Sequence, residues 1–196
     1  MFRVTFSPVV SVAAAAALIA GLLLLGLSIW SRPLVDAANA ARAGNLKGAL
    51  AHYTTVERRF EQLSPVKQIL PAVYQASVAN QLQLQYHLGQ FDAVIEKATV
   101  SPSTASIHFW AGCALLARAR ERETPEELIT WLSRADDEFR KALERDPQDW
   151  NIKFNYEYTR RLLAELRQQG DDPKEQKLPK LLDENPAPLG PPRRIG

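Results

Sequence analysis

The sequence predicts an all-α protein in three parts: a tail and apolar anchor over 1–32, a helical body over 33–169 and a Pro-rich tail over 170–196. Three observations carry that prediction. Val9 to Trp30 is a run of 22 residues without a charge, rich in Ala, Leu, Val and Gly. After Pro33 the apolar residues recur at spacings of three and four, with Gly and Pro falling between the runs and no useful stretch of strand-like alternation. From Gly170 onward the chain holds six of its 13 Pro among balanced charges.

The anchor follows from length. At 1.5 Å per residue the uncharged run spans about 33 Å as a helix, matching the hydrocarbon thickness of a bilayer. Trp30 stands where an interfacial aromatic belongs, and Arg3 and Arg32 bracket the span. A cleaved signal peptide is the competing reading, because Ala38-Asn39-Ala40 offers an A-x-A site. The apolar run is longer than a secretory core and ends well before Ala38, which favours an uncleaved single-pass anchor. Ala13, Ala17 and Gly21 recur at every fourth residue and form a candidate packing face for another transmembrane helix. The flanks set Arg3 against Arg32, Arg42 and Lys47, a Lys/Arg balance that points to a cytoplasmic body.

In the body, the clearest helix begins at Thr124-Pro125-Glu126-Glu127, with an N-cap, a Pro at the first helical position and Glu at N3. Leu128, Trp131, Leu132, Ala135, Phe139, Ala142 and Leu143 then form one apolar stripe, closed by Asp146-Pro147. Gly44 in AGNLKGALAHY and Gly89 in LGQFDAVIEKA mark inter-helix turns. The small residues Ala49, Gly112, Ala135 and Ala142 are expected to let paired helices approach closely. Tyr53, Phe91, Phe139 and Trp150 are expected in the core.

Chemistry is sparse. A net charge of +2 speaks against a nucleic-acid binder; a single Cys excludes a disulfide within the chain and a thiolate metal cluster, and His52, His87 and His108 show no pair at metal-ligand spacing. Cys113 lies in an apolar helix with no neighbouring cation to activate it. His108 beside Trp110 reads as a packed or rim residue, and Glu126, Glu127, Asp136, Asp137 and Glu138 as a solvated face. With no phosphate loop, HExxH or GxSxG motif, neither an enzyme nor a cofactor or metal site is expected. The tail lacks the apolar content to offset its ordering entropy and is expected to be disordered. Its Leu178, Leu181, Leu182 and Pro191-Pro192-Arg193-Arg194 are alternative short docking motifs.

Ala135, Phe139, Ala142 and Pro147 are spaced as in the second helix of a tetratricopeptide (TPR) repeat, and Phe154-Asn155-Tyr156 resembles the Tyr-Asn-Leu of a first helix. The resemblance implies a degenerate TPR-like solenoid of about three repeats from Pro33 to Pro147, closed by a capping helix over 149–169. Its concave face would present Asn80, Gln83, Asn155, Tyr158 and Arg161 to a partner. The middle first helix, QASVANQLQLQY, has no cation, so a protein surface or extended segment fits that face better than a C-terminal carboxylate.

The single anchor, the degenerate repeats, the DPQDWNIKFNYEYTRRLL close and the Pro-rich tail together resemble MxaK-like membrane TPR proteins. These accompany MoxR-type AAA+ ATPases and von Willebrand factor A-domain proteins in methanol dehydrogenase gene clusters. The resemblance implies an accessory role in maturing a periplasmic enzyme, with those proteins and the lipid bilayer as partners. It places the chain in a bacterial inner membrane with a periplasmic body, against the Lys/Arg balance. An envelope-assembly scaffold of another pathway and a structural subunit of an integral membrane complex stay open beside it.

Overall fold

The computed structural model describes residues 8–169, and the Pro-rich tail lies outside them. Every regular element among the described residues is helical: α1 (Pro8–Arg42), α2 (Leu46–Gln62), α3 (Ser64–Ile69), α4 (Pro71–His87), α5 (Phe91–Thr99), α6 (Ala105–Ala119), α7 (Pro125–Arg145) and α8 (Trp150–Gln169). Local chemistry sets most of the boundaries. Gly44 and Gly89 adopt φ of 75° and 71°. In each case the following N–H reaches back five residues, Asn45 to the Ala40 carbonyl and Gln90 to the Gln85 carbonyl, both at 2.9 Å. A left-handed residue with that bond closes a helix end, and Gly enters this region without the Cβ penalty. Asn45 Oδ1 accepts from Gly48 N at 2.9 Å, Thr124 Oγ1 from Glu127 N at 3.3 Å, and Asp149 Oδ1 from Asn151 N at 2.8 Å, capping α2, α7 and α8.

α1 is one continuous helix from the apolar run into the body, so the sequence boundary at residue 32 falls inside it. Its apolar part has a mean hydropathy of 2.5 and is unburied, long and apolar enough to cross a membrane. Beyond Pro33 the same helix joins the body, where Ala37 is fully buried against Ala49 and Tyr53 of α2. The A-x-A sequence therefore sits within a packed helix.

From α1 onward each helix stacks on helices one or two places along the chain: α2 packs on α1 and α4, α4 on α5 and α6, α6 on α7, and α7 on α8. The core is accordingly divided along the stack. One cluster joins Ala37, Ala49, Tyr53 and Leu84; the next joins Val78, Leu82, Val94, Ile107 and Ala114; the largest runs from Cys113 and Leu116 through Leu128, Leu132 and Phe139 to Leu162 and Leu166. The stripe read on α7 is this last seam, with Leu128, Leu132, Ala135, Phe139 and Ala142 all fully buried. Trp150 departs from expectation. At the first position of α8 it is 74% exposed, because the apolar face of that helix is set by Ile152, Leu162, Leu163 and Leu166.

Ion pairs tie one helix to another. Lys97 of α5 meets Glu57 of α2 at 2.6 Å, and Arg118 of α6 pairs with Asp92 of α5. Cys113 is buried, and that burial pushes its thiol well above the ordinary range, as an unreactive core cysteine requires.

Candidate partner-binding groove

The α4, α6 and α8 helices lie side by side and enclose a shallow groove. Its walls are Ala79, Asn80 and Gln83 from α4, Ala105, Ser106, Phe109 and Trp110 from α6, and Asp149, Asn151 and Ile152 at the start of α8. The lining is neutral apart from Asp149, whose carboxylate caps α8 by accepting from Asn151 N and Ile152 N. Amide groups beside aromatic faces suit an extended peptide segment, which supplies backbone donors and acceptors together with apolar side chains. A lining without a cation is poorly matched to an anion.

Of the five groove residues expected from the sequence, the structure brings two together, Asn80 and Gln83. Asn80 is held in place there, its Nδ2 donating to the Tyr53 hydroxyl at 3.0 Å. Asn155 and Tyr158 are a correction. Asn155 is fully buried, its Nδ2 donating to the Asn151 carbonyl at 2.7 Å, and Tyr158 is 7% exposed within the α7–α8 core, stacked on Phe154. The cause is rotational: the Asn155–Tyr158–Leu162 side of α8 is turned into the body, with Tyr158 and Leu162 in the core shared with α6 and α7, so only its first turn reaches the groove. Arg161 is exposed but lies outside the lining. Ser106, Phe109, Trp110 and Asn151 were missed. The repeat frame that marked Gly112 as a close-packing position in α6 also aims the side chains three and six residues before it into the groove.

Ala13, Ala17 and Gly21 stand exposed on α1, and a Cβ built on Gly21 meets nothing within 4 Å. The isolated chain thus sets no packing demand on this face.

A second depression, between α5, α6 and α7, is lined by Ile95, Ser103, His108, Arg134, Asp137, Glu138 and Lys141 among others. Here a polar chain corrects the expectation of a solvated acidic face. Glu138 Oε2 lies 2.6 Å from His108 Nδ1, its Oε1 accepts from Lys141 Nζ at 2.6 Å, and His108 Nε2 lies 2.7 Å from Ser103 Oγ. Hydroxyl, imidazole and carboxylate stand in the order of a nucleophile, a base and an orienting acid. However, Arg145 also donates to Ser103 Oγ at 2.5 Å and to the Ser103 carbonyl at 3.1 Å. The shared atoms therefore form a staple that fixes the loop before α6 onto α7. Asp136 also turns inward, and burial raises its carboxyl against the pull of Arg160. Glu126, Glu127 and Asp137 remain exposed as expected.

Burial alone would raise the Glu138 carboxyl, but the hydrogen bonds from His108 and Lys141 outweigh it and hold the group below its ordinary range. A depressed carboxyl contributes stability above its unfolded value, about 4.3 for Glu. That contribution is lost as pH falls through the lower folded value. Glu138→Gln is expected to flatten the acid limb of stability below about pH 4. Urea unfolding at a series of pH values checks this, and a variant with an unchanged acid limb would rule the staple out as its source.

No group of three metal-ligating side chains occurs among the described residues. No family model, no curated protein and no solved structure matches this chain.

Proposed function

We propose that the chain is a membrane-anchored, TPR-like scaffold that recruits protein partners through the α4–α6–α8 groove. One observation supports this above the others: alternate helices of a sequential stack line one face, and that face carries Asn80, Gln83, Ser106, Trp110 and Asn151 around a neutral, partly apolar trough. Stacked helix pairs commonly bind extended segments on such a face. Anchoring raises the effective concentration of a weak binder at the membrane, so modest affinity suffices and no chemistry is required of the scaffold. The particular role we propose is accessory, serving the maturation of a periplasmic enzyme such as methanol dehydrogenase from the inner membrane. Its partners would be a MoxR-type AAA+ ATPase and von Willebrand A-domain membrane proteins.

The test is capture of partners by the full-length protein from gently solubilised membranes of its host, compared with the Ser106→Arg variant. Ser106 lines the groove at the second position of α6, so a long cation there fills the trough without entering the core. The wild-type chain is expected to retain an ATPase of the MoxR type and A-domain proteins, and Ser106→Arg to lose them at least tenfold, about 1.4 kcal/mol. Equal capture by both chains would remove the groove from the proposal. A stoichiometric integral complex retained by both would favour a structural subunit instead.

A further inference from the structure

The anchor and the body are joined by a specific bond. Pro33 has no N–H, so the Ile29 carbonyl of α1 lacks its helical donor. Arg59 Nη1 donates to that carbonyl at 3.1 Å and to the Trp30 carbonyl at 2.7 Å, while Phe60 packs edge-on to the Trp30 ring at 4.8 Å. The last turn of α2 is thereby registered against the end of the apolar run. Because α2 runs antiparallel to α1, each further residue descends toward the part of α1 that is apolar and unburied. Leu63 lies four residues past Arg59, about 6 Å deeper by helical rise.

At this depth the chain turns through α3 and returns in α4, where Tyr74 meets Phe60 at 5.3 Å. The corner is apolar and open: Leu63 is 50% and Ile69 73% exposed. From Leu63 through α3 and α4 it carries no Asp or Glu, the nearest acid in sequence being the exposed Glu61 at the end of α2, while Lys67 stands over the Tyr74 ring at 4.7 Å. Apolar tips beside a cation, level with an interfacial Trp, match the requirements of a segment lying in the headgroup region of an anionic bilayer.

Building on the reading of α1 as a membrane span, we infer that the α2–α3–α4 corner is a second membrane contact, with Leu63 and Ile69 inserted into the interface of the leaflet that α1 leaves. Two contacts fix the tilt of the body and the direction in which the groove faces, which a single helical tether would leave free.

The test uses the full chain in vesicles containing phosphatidylglycerol, in a Cys113→Ala background, with an environment-sensitive NBD probe placed in turn at Ile69→Cys, Leu24→Cys and Lys47→Cys. Lys47 is exposed at the far end of α2, about 18 Å above Arg59 by helical rise. Probes at 69 and 24 are expected to shift to the blue and to lose intensity to doxyl-labelled lipids, while the probe at 47 does neither. Quenching at 24 with a solvent-like, unquenched probe at 69 would overturn the second contact and leave the anchor standing. An unquenched probe at 24 would overturn the anchor and the contact together.

Discussion

Gly112→Val is expected to be among the most destabilising single changes in the body. A Cβ at Gly112 falls 2.7 Å from Cε1 and 2.8 Å from Cδ1 of Phe139, inside any contact real side chains make. The ring has nowhere to retreat, being fully buried on α7 and packed against Phe109 at 6.1 Å. Overpacking of this kind costs about 1–3 kcal/mol for one added group, and Val adds two more methyls to it. The higher helix propensity of a non-Gly residue returns less than about 1 kcal/mol, and least for a β-branched one. The net loss is about 2 kcal/mol, or a fall of about 4–8 °C in Tm for a chain of this size. Gly112→Ala should fall between the two, because its propensity gain offsets part of the clash. Phe139→Leu should relieve the clash, so that Gly112→Val costs less in that background than alone. Thermal melting of the four chains measures the cycle, and additive losses would mean that the α6–α7 approach is not limited by this contact.

The second large effect is expected where the apolar run of α1 meets the body. Arg59→Met keeps the aliphatic stem but removes both hydrogen bonds to the Ile29 and Trp30 carbonyls. Bonds from a charged donor contribute about 1.5–3 kcal/mol, so a loss of about 2 kcal/mol is expected in the detergent-solubilised full chain. Pro33→Ala supplies the missing N–H to Ile29 from within α1. In that background Arg59→Met should cost about half as much, because the Ile29 carbonyl then has a donor within α1 and is no longer left unsatisfied when Arg59 is removed. The measurement is again a double-mutant cycle by thermal unfolding. An undiminished cost of Arg59→Met in the Pro33→Ala chain would show that the freed carbonyl is not what Arg59 serves.

Both predictions mark the division between local and tertiary information. The helical class, the turn glycines Gly44 and Gly89, the capped start of α7 and its buried stripe were legible in the chain. Each is governed by interactions within a few residues, and periodicity reports which face of a helix is apolar. The apolar length of α1 was legible for the same reason. Three of the five groove positions, Asn155, Tyr158 and Arg161, failed. Periodicity says that α8 has a buried side but not which neighbour covers it, so Asn155 and Tyr158, placed by repeat spacing, proved to be buried in the body. Trp150 failed similarly: an aromatic at the end of a run is core or rim according to packing that its neighbours in sequence do not encode.

The sequence by itself determined that this protein is helical, that its N-terminal helix is apolar enough to span a membrane, and where its turns lie, because backbone preferences and hydrophobic spacing act locally. Tertiary structure alone decided that Phe109, Trp110 and Asn151 converge with Asn80 and Gln83, that Glu138 leaves its acidic run to join His108, and that Arg59 answers the carbonyl that Pro33 frees. Each of these joins residues at least 26 positions apart, and the relative rotation and register of packed helices depend on the fit of whole faces, which no short stretch of sequence carries.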